Sequence, residues 1–139
     1  MDPVSGMSAV AAAAGLVDLG LKLAKFLVEL SRAIEDLPES VRSQTEQVEQ
    51  LIALARLVQV HGGLQTDSVA KVLGTCFAIA ESLHRTLQTI TIKKGERLLR
   101  RVWKSVDAVT GKISKIEELS LQLERQKSTL VICIQEHDS

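Results

Sequence analysis

The stretch SAVAAAAGLVDLGLKLAKFLVELSRA, Ser8 to Ala33, decides the fold class. Its only charged residues are Asp18, Lys22, Lys25, Glu29 and Arg32, set four, three, four and three positions apart. That alternation follows the 3.6-residue turn of an α-helix and gathers every charge onto one narrow stripe. Two apolar rows flank the stripe. One runs through Val10, Val17, Leu21, Ala24 and Val28, the other through Leu16, Leu19, Leu23, Leu27 and Leu30. Such a helix is expected to be buried over most of its circumference, which requires other helices around it. Residues 1–7 are expected to be a flexible lead-in.

The rest of the chain supplies those helices. Pro38, after Glu35-Asp36-Leu37, suits the first turn of a second helix capped near Asp36 or Leu37. From Glu39 to about Val60, the positions Val41, Val48, Leu51, Ile52, Ala55 and Val58 repeat at helical spacing, and Gln44, Glu46, Gln47, Glu49 and Gln50 are expected to face water. His61-Gly62-Gly63 is expected to end this helix with a left-handed glycine cap. Thr66 or Asp67 then caps a third helix to about Ile90, with Val69, Leu73, Cys76, Ala80, Leu83, Leu87 and Ile90 as its seam. Its end, Thr89-Ile90-Thr91-Ile92, reads equally well as a short strand. A fourth segment carries Leu98, Leu99, Val102, Trp103 and Val106; a fifth, after Gly111, carries Ile113, Ile116, Ser120, Leu123, Leu130 and Ile134. These two read equally as one kinked helix, because an interior glycine costs only about 1 kcal/mol. The expected fold is all-α, a single-domain antiparallel bundle of four to five helices over residues 1–139.

Composition points the same way. Of 139 residues, 45% are hydrophobic but only 2% aromatic, so the core is built from Leu, Val, Ile and Ala, the usual material of packed helices. The two prolines are Pro3 and Pro38, which leaves Glu39 to Ser139 without the residue that most strongly interrupts a helix. The formal net charge of +0 removes the global pull on polyanions that nucleic-acid binders carry. Cys76 and Cys133 fall at apolar positions of helical patterns, where buried free thiols are expected, in keeping with a reducing, cytoplasmic setting. Asp2 stands where a signal peptide would carry a base and where myristoylation needs glycine.

A search for chemistry finds no catalytic arrangement, cofactor motif or small-molecule site. The histidines His61, His84 and His137 lie far apart, and Cys133 with His137, four apart, gives only two potential metal ligands. Thr110-Gly111-Lys112 has the ending of a phosphate-binding loop, but Val106 and Ile113 occupy the places of its first glycine and its hydroxyl residue. The pairs Glu117 with Glu118 and Glu46 with Glu49 are spaced for solvated helix faces. No enzymatic activity is expected.

Two features remain as candidate binding surfaces. Lys93, Lys94, Arg97, Arg100, Arg101 and Lys104 concentrate positive charge, with Arg97, Arg101 and Lys104 on one helical face suited to anionic lipid headgroups. The first helix is too short in its uncharged run to span a bilayer, because Asp18 interrupts it. Its small residues, among them Ala13, Gly15 and Gly20, permit close helix contact. Val10, Leu16, Leu19, Gly20, Leu23 and Leu27 are the candidates there for membrane engagement or oligomerisation.

Three stretches carry a family resemblance: Met7-Ser8-Ala9-Val10 through Gly15-Leu16-Val17-Asp18-Leu19-Gly20-Leu21; the acidic turn Ile34-Glu35-Asp36-Leu37-Pro38-Glu39-Ser40-Val41-Arg42; and Arg101-Val102-Trp103-Lys104 with the helix through Leu123-Glu124-Arg125-Gln126-Lys127-Ser128-Thr129-Leu130. Together they resemble the N-terminal domains of fungal NOD-like receptors and related P-loop NTPases, the SesA, HeLo and HeLo-like group. The resemblance implies a helical bundle placed before a nucleotide-binding oligomerisation module, acting in programmed cell death and heterokaryon incompatibility. It also implies that the first helix engages membrane on activation, as in the similar bundle of the mixed-lineage kinase-like necroptosis effector, with movement from cytoplasm to plasma membrane. The alternative is a homotypic adaptor that recruits other helical domains without lipid. The expected partners are therefore a second copy or another helical domain, and anionic lipid in the first case.

Overall fold

The periodicity of the opening stretch forms one unbroken helix in a computed structural model of the chain, which describes residues 5–33, 39–91 and 106–138. This helix, α1, runs Ser5–Ala33 and so starts before the expected Ser8. It is followed by α2 (Glu39–Val60), a 3-10 turn (Gly62–Leu64), α3 (Asp67–Thr91) and α4 (Val106–Asp138). The protein is an all-α bundle, with four helices among the described residues. α4 passes through Gly111 without a break. The small intrinsic cost of one glycine is outweighed by a helix of 33 residues. The end of α3 is helical through Thr91, so its β-branched residues follow the helix that precedes them.

The ends of the elements show how local chemistry sets the connections. Thr66 is the N-cap of α3, its Oγ1 accepting a hydrogen bond from the Val69 backbone N–H at 3.2 Å, while Asp67 places an acid in the first turn. The expected left-handed cap at Gly62 is not adopted. The chain instead enters the 3-10 turn, with Leu64 N–H donating to His61 O at 3.0 Å and Gln65 N–H to Gly62 O at 3.1 Å. The Gln65 side-chain amide reaches back to the carbonyls of Val58 (3.2 Å) and Gln59 (3.4 Å), satisfying acceptors that the end of α2 leaves open. Leu64 is buried and anchors the turn to the core.

Helix directions follow from a few contacts. Residues 34–38 and 61–66 are too few to span a helix of 22 residues, so α1 and α2, and likewise α2 and α3, run antiparallel. α3 is parallel to its neighbour α1, since a Cβ at Gly15 would lie 3.6 Å from the Phe77 ring and the rings of Phe26 and His84 meet further along both helices. α4 is parallel to α2, with Gln47 against Ser120 and Gln50 against Lys127. α1 packs on α2 and α3, and α4 packs on α3 and more sparingly on α2. The bundle is thus a square in which α1 and α4 lie on one diagonal, and the short α2–α3 connection crosses the other.

One continuous core fills the square. Leu16, Leu23 and Leu27 of α1 meet Leu51 and Val58 of α2, Leu73 and Leu83 of α3, and Ile116, Leu123 and Leu130 of α4 in the same buried cluster. Each fully buried leucine contributes about 1.5–3 kcal/mol through removal of apolar surface from water. The seam expected for α3 is buried from Val69 to Leu87. On α2, by contrast, Gln44 and Gln47 were expected in water and are buried, whereas Glu46, Glu49 and Gln50 are exposed. Gln44 lies one turn from Val48 and Gln47 one turn from Leu51, so both fall on the inward face of the helix.

Candidate interaction surfaces

The two apolar rows of α1 have opposite fates. Leu16, Leu23 and Leu27 are fully buried, Leu19 is half-buried against the core, and Gly20 is buried where α2 approaches closely. A Cβ at Gly20 would sit 2.7 Å from Ile52 Cγ1, so the absence of a side chain lets the two helices come together. Of the six α1 candidates, Val10, Leu16, Leu19, Gly20, Leu23 and Leu27, only Val10 reaches the surface, at 37% exposure. The other row faces outward: Leu21 is 49% and Val28 37% exposed, Val17 is half-buried, and Ala14 lies exposed between Val10 and Leu21. Beside it runs the charged stripe, in which Lys22 and Asp18 form an exposed ion pair at 3.2 Å. Among the described residues no helix is long and apolar enough to cross a membrane.

A polar clamp closes the sparingly packed seam between α2 and α4. The Gln47 amide donates to Ser120 O and to Glu124 Oε2, both at 2.9 Å, and its carbonyl accepts from Ser120 Oγ at 3.2 Å. Lys127 completes the clamp, 2.8 Å from Glu124 Oε1 and hydrogen-bonded to Gln50 Oε1. The hydrogen bond from Lys127, then that from Gln47, holds the Glu124 carboxyl below the usual glutamate value, so it stays ionised at neutral pH. These residues, with Ser43 and Glu46, line an open cleft of about 300 Å³. Glu117, Glu118 and the exposed Leu121 continue it along α4. Sequence reasoning missed this clamp. The available signal was the placement of Gln47 four residues before Leu51, on the apolar face.

One turn earlier on α2, the fully buried Gln44 has no hydrogen-bond partner among the described residues at either Nε2 or Oε1. The remaining candidates are structural in their surroundings. Burial pushes the Cys76 thiol up to about 11, and Cys133 is half-buried. His84 packs edge-on against Phe26, with centroids 5.6 Å apart, and burial, then the charge of Lys22, lowers its pKa. No group of three or more metal-ligating side chains is brought together among the described residues. The basic cluster Lys93, Lys94, Arg97, Arg100, Arg101 and Lys104 lies outside the described residues.

With this geometry established, comparison with known proteins adds no relative: no family model, curated protein or solved structure matches the chain significantly.

Proposed function

We propose that this chain is a signalling and assembly module of the kind that precedes the nucleotide-binding oligomerisation module in fungal NOD-like receptors, and that it works as a folded bundle by associating with itself or with another helical domain. The observation that carries the folded-bundle reading is the burial of Leu16, Leu23 and Leu27 in the shared core. Inserting α1 into a bilayer would strip these leucines from Leu51, Leu73 and Leu123, exposing the apolar faces of the other three helices. A surface-bound helix also needs its most apolar face free, and here the leucine row that forms it is occupied by the core. The resemblance of the opening stretch, the acidic turn and the last helix supplies the setting, programmed cell death or heterokaryon incompatibility starting from the cytoplasm.

The test is forced clustering. The chain, fused to a ligand-inducible dimerising domain and expressed in a filamentous fungus, is expected to kill hyphae only when ligand is added. The purified chain is expected to leave anionic and neutral liposomes intact. Dye release that requires anionic lipid, and disappears when Arg97, Arg101 and Lys104 are changed to Glu, would overturn the folded-bundle reading in favour of a membrane-acting effector. Survival of the clustered strain would remove the role in cell death.

A further inference from the structure

We infer that the outward face of α1 is a self-association surface, on which α1 of a second copy lies antiparallel about a two-fold axis at Leu21. This inference rests on the assembly reading above and names the partner and its register. Val10, Val17, Leu21 and Val28 recur at seven-, four- and seven-residue intervals, with Ala14 and Ala24 in the gaps, so the row is continuous along a helix of 29 residues. Val10, Leu21 and Val28 are 37%, 49% and 37% exposed, with Val17 and Ala24 between them half-buried against the core, whereas the leucine row on the same helix is engaged in the core along its length. A contiguous apolar strip beside a charged one is the usual form of a partner surface rather than of free solvent-facing helix.

Two independent features select a second copy and fix its direction. The first is size matching. With the axis at Leu21, each Val28 falls level with Ala14 of the other copy and each Val17 within one residue of the short Ala24, so valine opposes alanine on either side of a central Leu21 pair. The second is charge. In an antiparallel pair the same flanks of the two helices face each other, and the flank here carries the exposed Asp18 and Lys25. Positions 18 and 25 are placed almost symmetrically about Leu21, so Asp18 of each copy falls opposite Lys25 of the other, twice per dimer. A parallel pairing about the same seam would set each residue level with its own equivalent and bring no opposite charges together. The result is isologous and closed, as two-fold interfaces are. One helix face is smaller than the roughly 800 Å² per partner of a standard interface, so the dimer is weak alone and strengthens when copies are tethered.

Sedimentation velocity of the full chain, from low to high micromolar concentration, tests this directly. A monomer–dimer equilibrium is expected. Leu21→Glu, a surface change that leaves the helical circular dichroism intact, is expected to weaken it roughly tenfold or more. Asp18→Lys and Lys25→Asp are each expected to weaken dimerisation, and the double exchange to restore it. In a Cys133→Ser background, Leu21→Cys is expected to cross-link the dimer under mild oxidation, whereas the more exposed Val60→Cys is not. A dimer indifferent to Leu21→Glu, a double exchange that fails to restore it, or a monomer at every concentration overturns the proposal. A monomeric chain that still kills hyphae on forced clustering sinks this surface and spares the assembly reading. A Leu21-dependent dimer without clustered killing does the reverse.

Discussion

Replacing Gln44 by methionine is expected to stabilise the protein, which is unusual for a substitution in the core. Gln44 is fully buried, and neither amide atom has a hydrogen-bond partner among the described residues. A buried polar group left unpaired costs about 1–3 kcal/mol. Taking the low end for each of the two amide groups, an apolar side chain of the same shape recovers about 2 kcal/mol. For 139 residues the unfolding entropy near the melting point is about 0.3 kcal/mol per kelvin, so the midpoint rises by about 7 °C. Gln47→Met, one turn along the same helix, is the opposite case. It removes the hydrogen bonds to Ser120 and Glu124 and is expected to cost about 1–3 kcal/mol. Thermal melts by circular dichroism, paired with urea titrations to check that the slope is unchanged, measure both. A Gln44→Met protein that melts below the wild type at the same urea slope would refute the reasoning, because the amide must then be paired in solution.

Three further outcomes are expected. Gly20→Ala should destabilise by about 1 kcal/mol, since an overpacking cost of about 1–3 kcal/mol at Ile52 exceeds the helix-propensity gain, whereas Gly74→Ala, whose Cβ meets nothing within 4 Å, should stabilise by about 0.5–1 kcal/mol; equal effects by urea titration would contradict the close approach of α1 to α2. With a disulfide reagent at mildly alkaline pH, Cys133 should react promptly and Cys76 only as the bundle opens, because burial raises the Cys76 pKa to about 11; two thiols titrating at one rate would show that α3 is not packed as described. The lowered pKa of Glu124 means that the folded state favours its ionised form, so its contribution is present above the unfolded value of 4.5 and lost as pH falls through the folded one. Glu124→Gln should therefore flatten the acid limb of stability below about pH 4.5, and an unchanged pH profile of the urea midpoint there would deny the clamp a role.

Much of the fold is legible in the sequence because helical periodicity is a local property. The spacing of Asp18, Lys22, Lys25, Glu29 and Arg32 places a helix there regardless of what surrounds it, and the seam from Val69 to Leu87 is buried as its spacing indicates. The errors occur where an element answers to something distant. Gln47 reads as a solvated residue because polar side chains usually are. It is buried because Ser120 and Glu124, more than seventy residues away, supply its hydrogen bonds. Gly62 offers a left-handed cap, but Gln65 caps α2 from beyond the turn and leaves that conformation unused.

The candidate surface shows the same division at the level of function. From the sequence alone, α1 carries two apolar rows of comparable hydrophobicity, and its pattern establishes that both exist and that a charged stripe lies beside them. Which row is core and which is surface is a property of the square: α2 and α3 pack against the Leu16, Leu23 and Leu27 side, and Gly20 admits Ile52 there. Val10, Leu21 and Val28 are thereby left facing out. Periodicity measures angles around one helix axis, whereas burial depends on where the other axes stand, and only the tertiary structure supplies those.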